Sequence, residues 1–291
     1  MSMATHILRT LLAVSLITAC DDGGSQSAPN EAPEEARWTQ VTVQRESHRH
    51  DPESWQTEAW FAQYAGATEG ALRDAMGALA TPDEGCTLLP GRVNHAEMDS
   101  VRFRAIGTAQ VVHENGERDL LDPRALSVRT DAISGVVYRG ATSHPDSSPL
   151  HFEVLSSAGE AQLSVPLYPP SGLGWVSVND VPIQADSIVA PLALSDDADL
   201  TLEIDSDAAV AFVYLRSAYD SHAPRLACRM ENDTLRIPAS QLDSFGPAGS
   251  LIDVQLVLRN ERALTLDGTQ VGAASMELTD RLTIQRVKAA E

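Results

Sequence analysis

Basic residues are few in this chain of 291 residues: Lys and Arg together number 21, against 41 Asp and Glu, and the formal net charge is −20. A surface with this excess of negative charge repels phosphate backbones, so we expect no nucleic-acid partner. The same charge argues against a basic patch that docks on anionic lipid. Charged residues make up 21% and hydrophobic residues 43%, which is typical of a globular protein rather than a disordered one.

The N-terminus lacks an apolar run of the roughly 20 residues that a membrane-spanning helix needs. Residues 11–17 form a shorter apolar run after Arg9, which is typical of a cleaved signal peptide. The motif Ile17-Thr18-Ala19-Cys20 resembles the bacterial lipobox: an aliphatic residue, a small residue, Ala or Gly, then Cys. The resemblance implies that residues 1–19 are removed and that Cys20 carries a diacylglycerol and an acyl chain such as palmitate, which together form a firm membrane anchor.

The segment after the predicted cleavage point is polar. Residues 21–36 offer no large apolar side chain to bury, so residues 20–36 are predicted to be a flexible tether. We therefore expect the protein in a Gram-negative cell envelope, lipid-anchored with its body outside the cytoplasm. Asp21 resembles the inner-membrane retention signal of some such bacteria; the rule does not hold in every lineage, so inner and outer membrane both stay open. The alternatives are an ordinary secretory signal, which would not require Cys20, and a buried N-terminal helix, which the polar residues that follow disfavour.

Cysteine is also scarce, with three residues in the chain. Lipidation of Cys20 leaves Cys86 and Cys228, an even pair in an oxidising compartment. We therefore predict a disulfide between them, with two free buried thiols as the alternative. Such a bond would place the N-terminal part of the body against the C-terminal part.

Alternation of apolar and polar residues dominates after residue 37 and predicts short strands separated by turns. The predicted strands are 38–43, 57–64, 101–106, 108–113, 126–130, 135–139, 150–155, 161–165, 175–178, 200–204, 210–215, 225–230, 234–237, 251–258 and 278–287. Asn115-Gly116 predicts a hairpin turn. Residues 71–79 have helical spacing and are the one helix candidate of any length.

The strand pattern predicts an all-β fold: an antiparallel, immunoglobulin-like sandwich in the C-terminal half, packed against a second β-rich region with one short helix. The signal peptide (1–19) and tether (20–36) would be followed by an N-terminal region (37–168) and a C-terminal sandwich (172–291). The boundary is placed at Tyr168-Pro169-Pro170-Ser171-Gly172, because this stretch has linker composition.

Residues 200–245 resemble uncharacterised lipoproteins of GC-rich Gram-negative bacteria. The shared features are an apolar strand, a strand containing Cys228-Arg229, a strand that ends in Ile237-Pro238, and a helical turn at Leu242. The resemblance implies an immunoglobulin-type sandwich and brings no activity with it. Ser240 is predicted to be the N-cap of the helical turn.

Two groups of residues have the chemistry of metal ligands. His48 and His50 would share one face of a strand, a spacing that some zinc sites use, with further ligands from His95, His113 or Glu114; the alternative is a solvated loop. The acidic residues of a second group have oxygen ligands for calcium, but they lack the frame of an EF-hand loop and are more simply explained as charges that protect sheet edges. These acidic residues are Asp196, Asp197, Asp199, Asp205 and Asp207.

Signatures of nucleophilic catalysis and phosphate binding are absent from the sequence: it has no Gly-x-Ser-x-Gly elbow, no Ser-x-x-Lys and no Gly-rich phosphate loop. The four tryptophans, Trp38, Trp55, Trp60 and Trp175, are predicted to be core residues, with a carbohydrate-stacking surface as the alternative. We therefore predict a noncatalytic binding or structural module without a cofactor, whose partner is another envelope protein or a glycan. The alternatives are a zinc enzyme that uses His48 and His50, and a calcium-stabilised adhesin.

Overall fold

Strands make up most of the regular structure in the computed structural model, which describes residues 36–46, 54–65, 82–89, 100–126, 133–143, 148–170, 172–183, 191–206, 208, 210–220, 223–266 and 269–289. The strands are β1 (Ala36–Glu46), β2 (Ser54–Ala65), β3 (Cys86–Leu89), β4 (Ser100–Phe103), β5 (Thr108–His113), β6 (Arg118–Leu120), β7 (Asp122–Ala125), β8 (Ile133–Ser143), β9 (Leu150–Leu155), β10 (Ala161–Leu167), β11 (Gly172–Val178), β12 (Val181–Pro182), β13 (Leu192–Ser195), β14 (Leu200–Ser206), β15 (Val210–Ser217), β16 (Arg225–Met230), β17 (Thr234–Ile237), β18 (Leu251–Leu266) and β19 (Thr269–Val287). Within these ranges the helical segments are α1 (Ala239–Leu242) and a 3₁₀ turn (Asp243–Phe245). The predicted all-β class is confirmed, and the helix predicted over 71–79 lies outside the described residues.

One large mixed sheet forms the back of the molecule, and two smaller sheets pack on it. The large sheet has eleven strands in the order β3-β16-β15-β18-β19-β1-β2-β4-β8-β7, with β13 also paired to β19. Strands β1 and β13 run parallel to β19, and most of the other pairs are antiparallel. The smaller sheets have the orders β10-β9-β5-β6 and β12-β11-β14-β17.

The C-terminal sandwich has its core between the large sheet and the sheet that contains β14. Alternate residues of β14 and β15 point into this core, because side chains of a strand project to its two faces in turn. The inward residues of these two strands are Leu200, Leu202, Ile204, Ala211, Val213 and Leu215. Each fully buried Val, Leu or Ile contributes roughly 1.5–3 kcal/mol, so burial of these residues stabilises the packing of the two sheets.

The N-terminal sandwich has a second core between the large sheet and the sheet that contains β5. Val41 and Val43 of β1 meet Val111 of β5 and Phe152 of β9 in this core. The predicted hairpin at Asn115-Gly116 joins β5 to β6, so this turn prediction is confirmed.

The hairpin of β18 and β19 belongs to both sandwiches. Leu256 and Ile284 lie in the C-terminal core, whereas Leu264 and Met276 lie in the N-terminal core. The strands of this hairpin have 16 and 19 residues, long enough for one sheet to back both cores. The compact unit that contains all described residues runs from Pro33 to Glu291.

The predicted linker joins the two small sheets and is fixed to the shared hairpin. Strand β10 ends at Leu167 on one side of it, and β11 begins at Gly172 on the other. Asn260 Nδ2 of β18 donates hydrogen bonds to the carbonyl oxygens of Tyr168 (3.3 Å) and Pro169 (3.0 Å). The stretch with linker composition is therefore held against the large sheet.

The predicted N-cap of the helical turn is wrong. Ser240 lies inside α1, and the N-cap position is Pro238, which has no side chain that can accept a hydrogen bond. The carboxylate of Asp199, from the turn before β14, accepts the hydrogen bond of the Ala239 N–H at 2.9 Å instead. Sequence spacing missed this cap because its acceptor lies 40 residues upstream.

Candidate functional site

An apolar cavity of about 290 Å³ opens in the C-terminal sandwich, where the β11–β12 hairpin faces β13 and β19. The lining residues are Val178, Asn179, Val181, Leu192, Ala193, Leu194 and Ile284. Residues 184–190, which join β12 to β13, lie outside the described residues. The volume is close to the lower end of the roughly 300–1,000 Å³ of ligand sites, so the cavity fits one large side chain or a small apolar molecule.

The turn of the β11–β12 hairpin forms one wall of the cavity. Asn179 and Asp180 have φ angles of 48° and 62°, the left-handed conformation that Asn and Asp tolerate better than other residues and that a two-residue hairpin turn requires. The Asn179 side chain donates to the Asp199 carbonyl oxygen and accepts from the Thr201 N–H, both at 2.8 Å. This wall is therefore fixed to β14.

The opposite wall comes from a parallel strand pair. Leu192 of β13 pairs with Ile284 of β19, and Ala193 pairs with Gln285. Both hydrogen-bonding ends of the Asn179 amide are used by Asp199 and Thr201. The described part of the lining therefore presents mainly apolar groups and includes no acid, base or nucleophile. Chemically, this arrangement can bury an apolar group.

The predicted zinc ligands and lipidation site fall mostly outside the described residues: Cys20, His48, His50 and His95 all do. The zinc hypothesis therefore stays a prediction. Within the ranges given above, no three His, Cys, Asp or Glu side chains are grouped so that they could hold a metal ion.

His113 is buried in the N-terminal sandwich, with its Nε2 2.6 Å from Asp119 Oδ2. The same carboxylate oxygen accepts a hydrogen bond from the Ser143 N–H at 3.0 Å, and the Ser143 hydroxyl lies 3.3 Å from it. The carboxylate thus lies between the imidazole and the hydroxyl, whereas a nucleophilic triad needs the imidazole in the middle. Glu114, the other predicted ligand nearby, is exposed in the turn after β5.

Three of the acidic residues proposed for calcium, Asp196, Asp197 and Asp199, accept hydrogen bonds from protein donors. Asp196 Oδ1 accepts from the Ala289 N–H at 3.0 Å, and Asp197 accepts from the Ser195 hydroxyl. Asp199 accepts from the Ala239 N–H and from the Arg236 guanidinium (2.9 and 2.8 Å), and these two interactions, in that order, hold the pKa of its carboxyl below the ordinary value. Asp205 is exposed on β14, and Asp207 lies outside the described residues.

The predicted disulfide between Cys86 and Cys228 is confirmed, and it links β3 to β16 across 142 residues of chain. A loop of this length gives about 5 kcal/mol of stabilisation in the chain-entropy estimate. The four tryptophans have 3–7% of their surface exposed, so their prediction as core residues is also confirmed.

Sequence reasoning missed the cavity. Asn179-Asp180 between two valines is a hairpin signal and could have located its first wall. No comparable signal marks β13, whose pairing with β19 is set by tertiary contacts. None of the helices in the described ranges is long and apolar enough to cross a membrane. Comparisons with known protein families and with curated protein sequences found no match to this chain.

Proposed function

We propose that this chain is a lipid-anchored protein of a Gram-negative cell envelope whose body is a noncatalytic binding module. The cavity beside Asn179 is its binding site, and the occupant is an apolar or aromatic side chain of a partner envelope protein. The observation that carries this proposal is the cavity itself: its described walls are mostly apolar, and the Asn179 amide among them is already hydrogen-bonded.

A protein side chain suits this cavity better than a glycan does. A sugar loses hydrogen bonds to water when it is buried and needs polar partners in exchange, and the cavity walls offer few. A side chain anchored in a desolvated pocket is the common centre of a protein–protein interface. The net charge of −20 favours a partner with a basic surface, since opposite charges speed association.

The cavity lies far along β19 from the point where β1 joins it. Strand β1, which follows the predicted tether, pairs with β19 from Thr39 and Gly272 onward. Ile284, in the cavity wall, lies about 40 Å further along β19, at roughly 3.3 Å per residue. The first described strand of the body therefore begins at the end of the shared hairpin that lies far from the cavity.

Binding can be tested with indole, the aromatic part of a tryptophan side chain, titrated into the full-length protein and followed by NMR of the methyl groups. We expect the methyl signals of Val178, Leu192 and Leu194 to shift. Val181→Phe should abolish these shifts by filling the cavity, because Val181 pairs with Val178 and shares its face. Ala161→Phe, on an exposed position of β10, should leave them unchanged. Equal shifts in the two variants, or none in the unmodified protein, would contradict the proposal.

The anchor is tested separately by mass spectrometry of the N-terminal peptide from the native host. We expect a peptide that begins at Cys20 with diacylglycerol and an acyl chain attached, and we expect Cys20→Ala to release the body from the membrane fraction. A peptide with residues 1–19 still attached would contradict this part of the proposal.

A further inference from the structure

Strand β3, at the edge of the eleven-stranded sheet, is short and largely exposed. Three of its four residues, Cys86, Thr87 and Leu88, are exposed, and Leu89 is half-buried against the cluster that contains Phe212. An edge strand with so little buried surface gains little from the hydrophobic effect. The described contacts of β3 and the residues just before it are the pairing with β16, the disulfide, the packing of Leu89, and a hydrogen bond from Arg229 Nη1 to the Asp83 carbonyl oxygen at 3.0 Å.

Strand β16 is fixed on its other side. It forms six residue pairs with β15, and Leu226, Ala227 and Cys228 are buried. The two strands joined by the disulfide therefore differ: β16 belongs to the core of the C-terminal sandwich, and β3 covers its edge. Loss of β3 leaves the buried face of β16 in place.

The two cysteines also differ in access. Cys86 is exposed, whereas Cys228 has 0% of its surface exposed. A thiolate from solution can approach the exposed side of the bond, and exposed disulfides are the ones that exchange readily in folded proteins.

We propose that the Cys86–Cys228 bond is a redox latch, which a dithiol reduces so that β3 is freed and the edge of β16 is opened while both sandwiches stay folded. A thiolate of the dithiol attacks the Cys86 sulfur, the sulfur–sulfur bond breaks, and Cys228 leaves as a thiolate that takes up a proton. The second thiol of the reductant then attacks the mixed disulfide and releases Cys86 as a thiol. The protein gains two electrons and two protons, and the dithiol becomes a cyclic disulfide.

The opened edge has the geometry of a docking strand. Its unpaired backbone N–H and C=O groups can pair with an extended segment of another chain, as sheet edges commonly do. The latch would therefore control access to this edge, independently of the cavity described above.

The register supplies an internal control within β16. The Arg229 N–H donates to the Gly85 carbonyl oxygen at 2.8 Å, so Arg229 points its amide towards β3. Because backbone N–H directions alternate along a strand of an antiparallel pair, the N–H of Ala227 also points to β3, whereas the N–H groups of Leu226 and Cys228 point to β15. Release of β3 should expose the first pair of amides and leave the second pair protected.

The test uses the full-length protein, treated with dithiothreitol in the absence of denaturant and followed by alkylation, mass spectrometry and amide hydrogen exchange. We expect Cys86 and Cys228 to be alkylated. The hydrogen-exchange protection factors of the Ala227 and Arg229 amides should fall by about tenfold or more, while those of the Leu226 and Cys228 amides stay unchanged. The double variant Cys86→Ser/Cys228→Ala should show the same pattern without reductant.

Two results would overturn the proposal. The first is alkylation that occurs only when the whole protein unfolds, which would make the bond a purely structural staple. The second is equal loss of protection for both sets of β16 amides, which would show that reduction loosens the sandwich as a whole. Amides in the middle of β18 report on that global effect and should stay protected.

Discussion

Replacement of Arg286 by Met removes a buried cation that joins three parts of the C-terminal sandwich. Arg286 has 2% of its surface exposed. Its Nη1 donates to the carbonyl oxygens of Leu242 (3.3 Å) and Gly246 (2.7 Å), and its Nη2 donates to the Asp196 carbonyl oxygen (2.7 Å) and to Asp243 Oδ1 (2.9 Å). These contacts fix α1, the loop after it and the β13–β14 turn to β19.

The loss expected from Arg286→Met follows from these contacts. Three backbone acceptors lose a charged donor, and each buried acceptor left without a partner costs roughly 1–3 kcal/mol. Asp243 is exposed and regains water, so its share is small. We take about 3–5 kcal/mol as the total fall in the free energy of unfolding, similar to that for breaking other buried charge contacts.

Urea denaturation followed by tryptophan fluorescence measures this fall. With a slope of about 3 kcal/mol per molar urea, the midpoint of Arg286→Met should fall by about 1–1.7 M. Arg281→Met is the matched control, because Arg281 lies on the same strand but is exposed, and its midpoint should move little. Equal midpoints for the two variants would show that the hydrogen bonds from Arg286 to the three carbonyl oxygens do not stabilise the folded protein.

Three further predictions concern stability. Glu277→Gln removes the negative charge that lies 2.7 Å from the guanidinium of buried Arg259; burial lowers the pKa of Arg259, but nearby groups, the Glu277 carboxylate foremost, raise it overall. The free energy of unfolding should therefore fall by about 3 kcal/mol. Asp253→Asn, in a more exposed ion pair, should cost less than about 1 kcal/mol in the same urea assay. Folding lowers the pKa of the Asp199 carboxyl. The ionised carboxylate therefore stabilises the folded protein fully above its ordinary pKa, and this stabilisation is lost as the pH falls through the folded-state pKa. Between about pH 5 and pH 3, the urea midpoint of Asp199→Asn should change less than that of the unmodified protein. Gly272→Ala places a methyl group against a backbone carbonyl oxygen of β1 and should lower the melting temperature by several degrees in calorimetry, since two paired strands must separate; a melting temperature equal to that of the unmodified protein would contradict this.

The strands with clear alternation could be predicted from the sequence. Strand β14 alternates Leu200, Leu202 and Ile204 with polar residues, and the structure buries these three. The middle of the β18–β19 hairpin was missed because its residues are charged or small, as in Asn260-Glu261-Arg262 and Ala273-Ala274. Such residues give no amphipathic signal, yet pairing along the whole hairpin keeps them in the sheet.

The candidate site was harder to predict than the strands. Val178 could be predicted as a strand residue, but β13, which contains Leu192, was not predicted. Nothing in the spacing of these residues shows that a hairpin and a parallel strand leave a cavity between them. Arg286 lies on the same side of β19 as Ile284, and the alternation alone would assign an apolar residue to that position. Only the folded chain brings three carbonyl oxygens to the guanidinium.

Local patterns and composition were enough to predict the strand-rich class, the Asn115-Gly116 hairpin and the burial of the tryptophans, and the number of cysteines predicted the bond between Cys86 and Cys228, which lie 142 residues apart. These follow from side-chain alternation, turn chemistry and the small number of cysteines. The tertiary structure decided the single sheet behind two cores, the cap that Asp199 supplies to α1 and the cavity, because each depends on contacts between segments far apart in the chain. A local pattern carries no information about which distant surface a strand will meet.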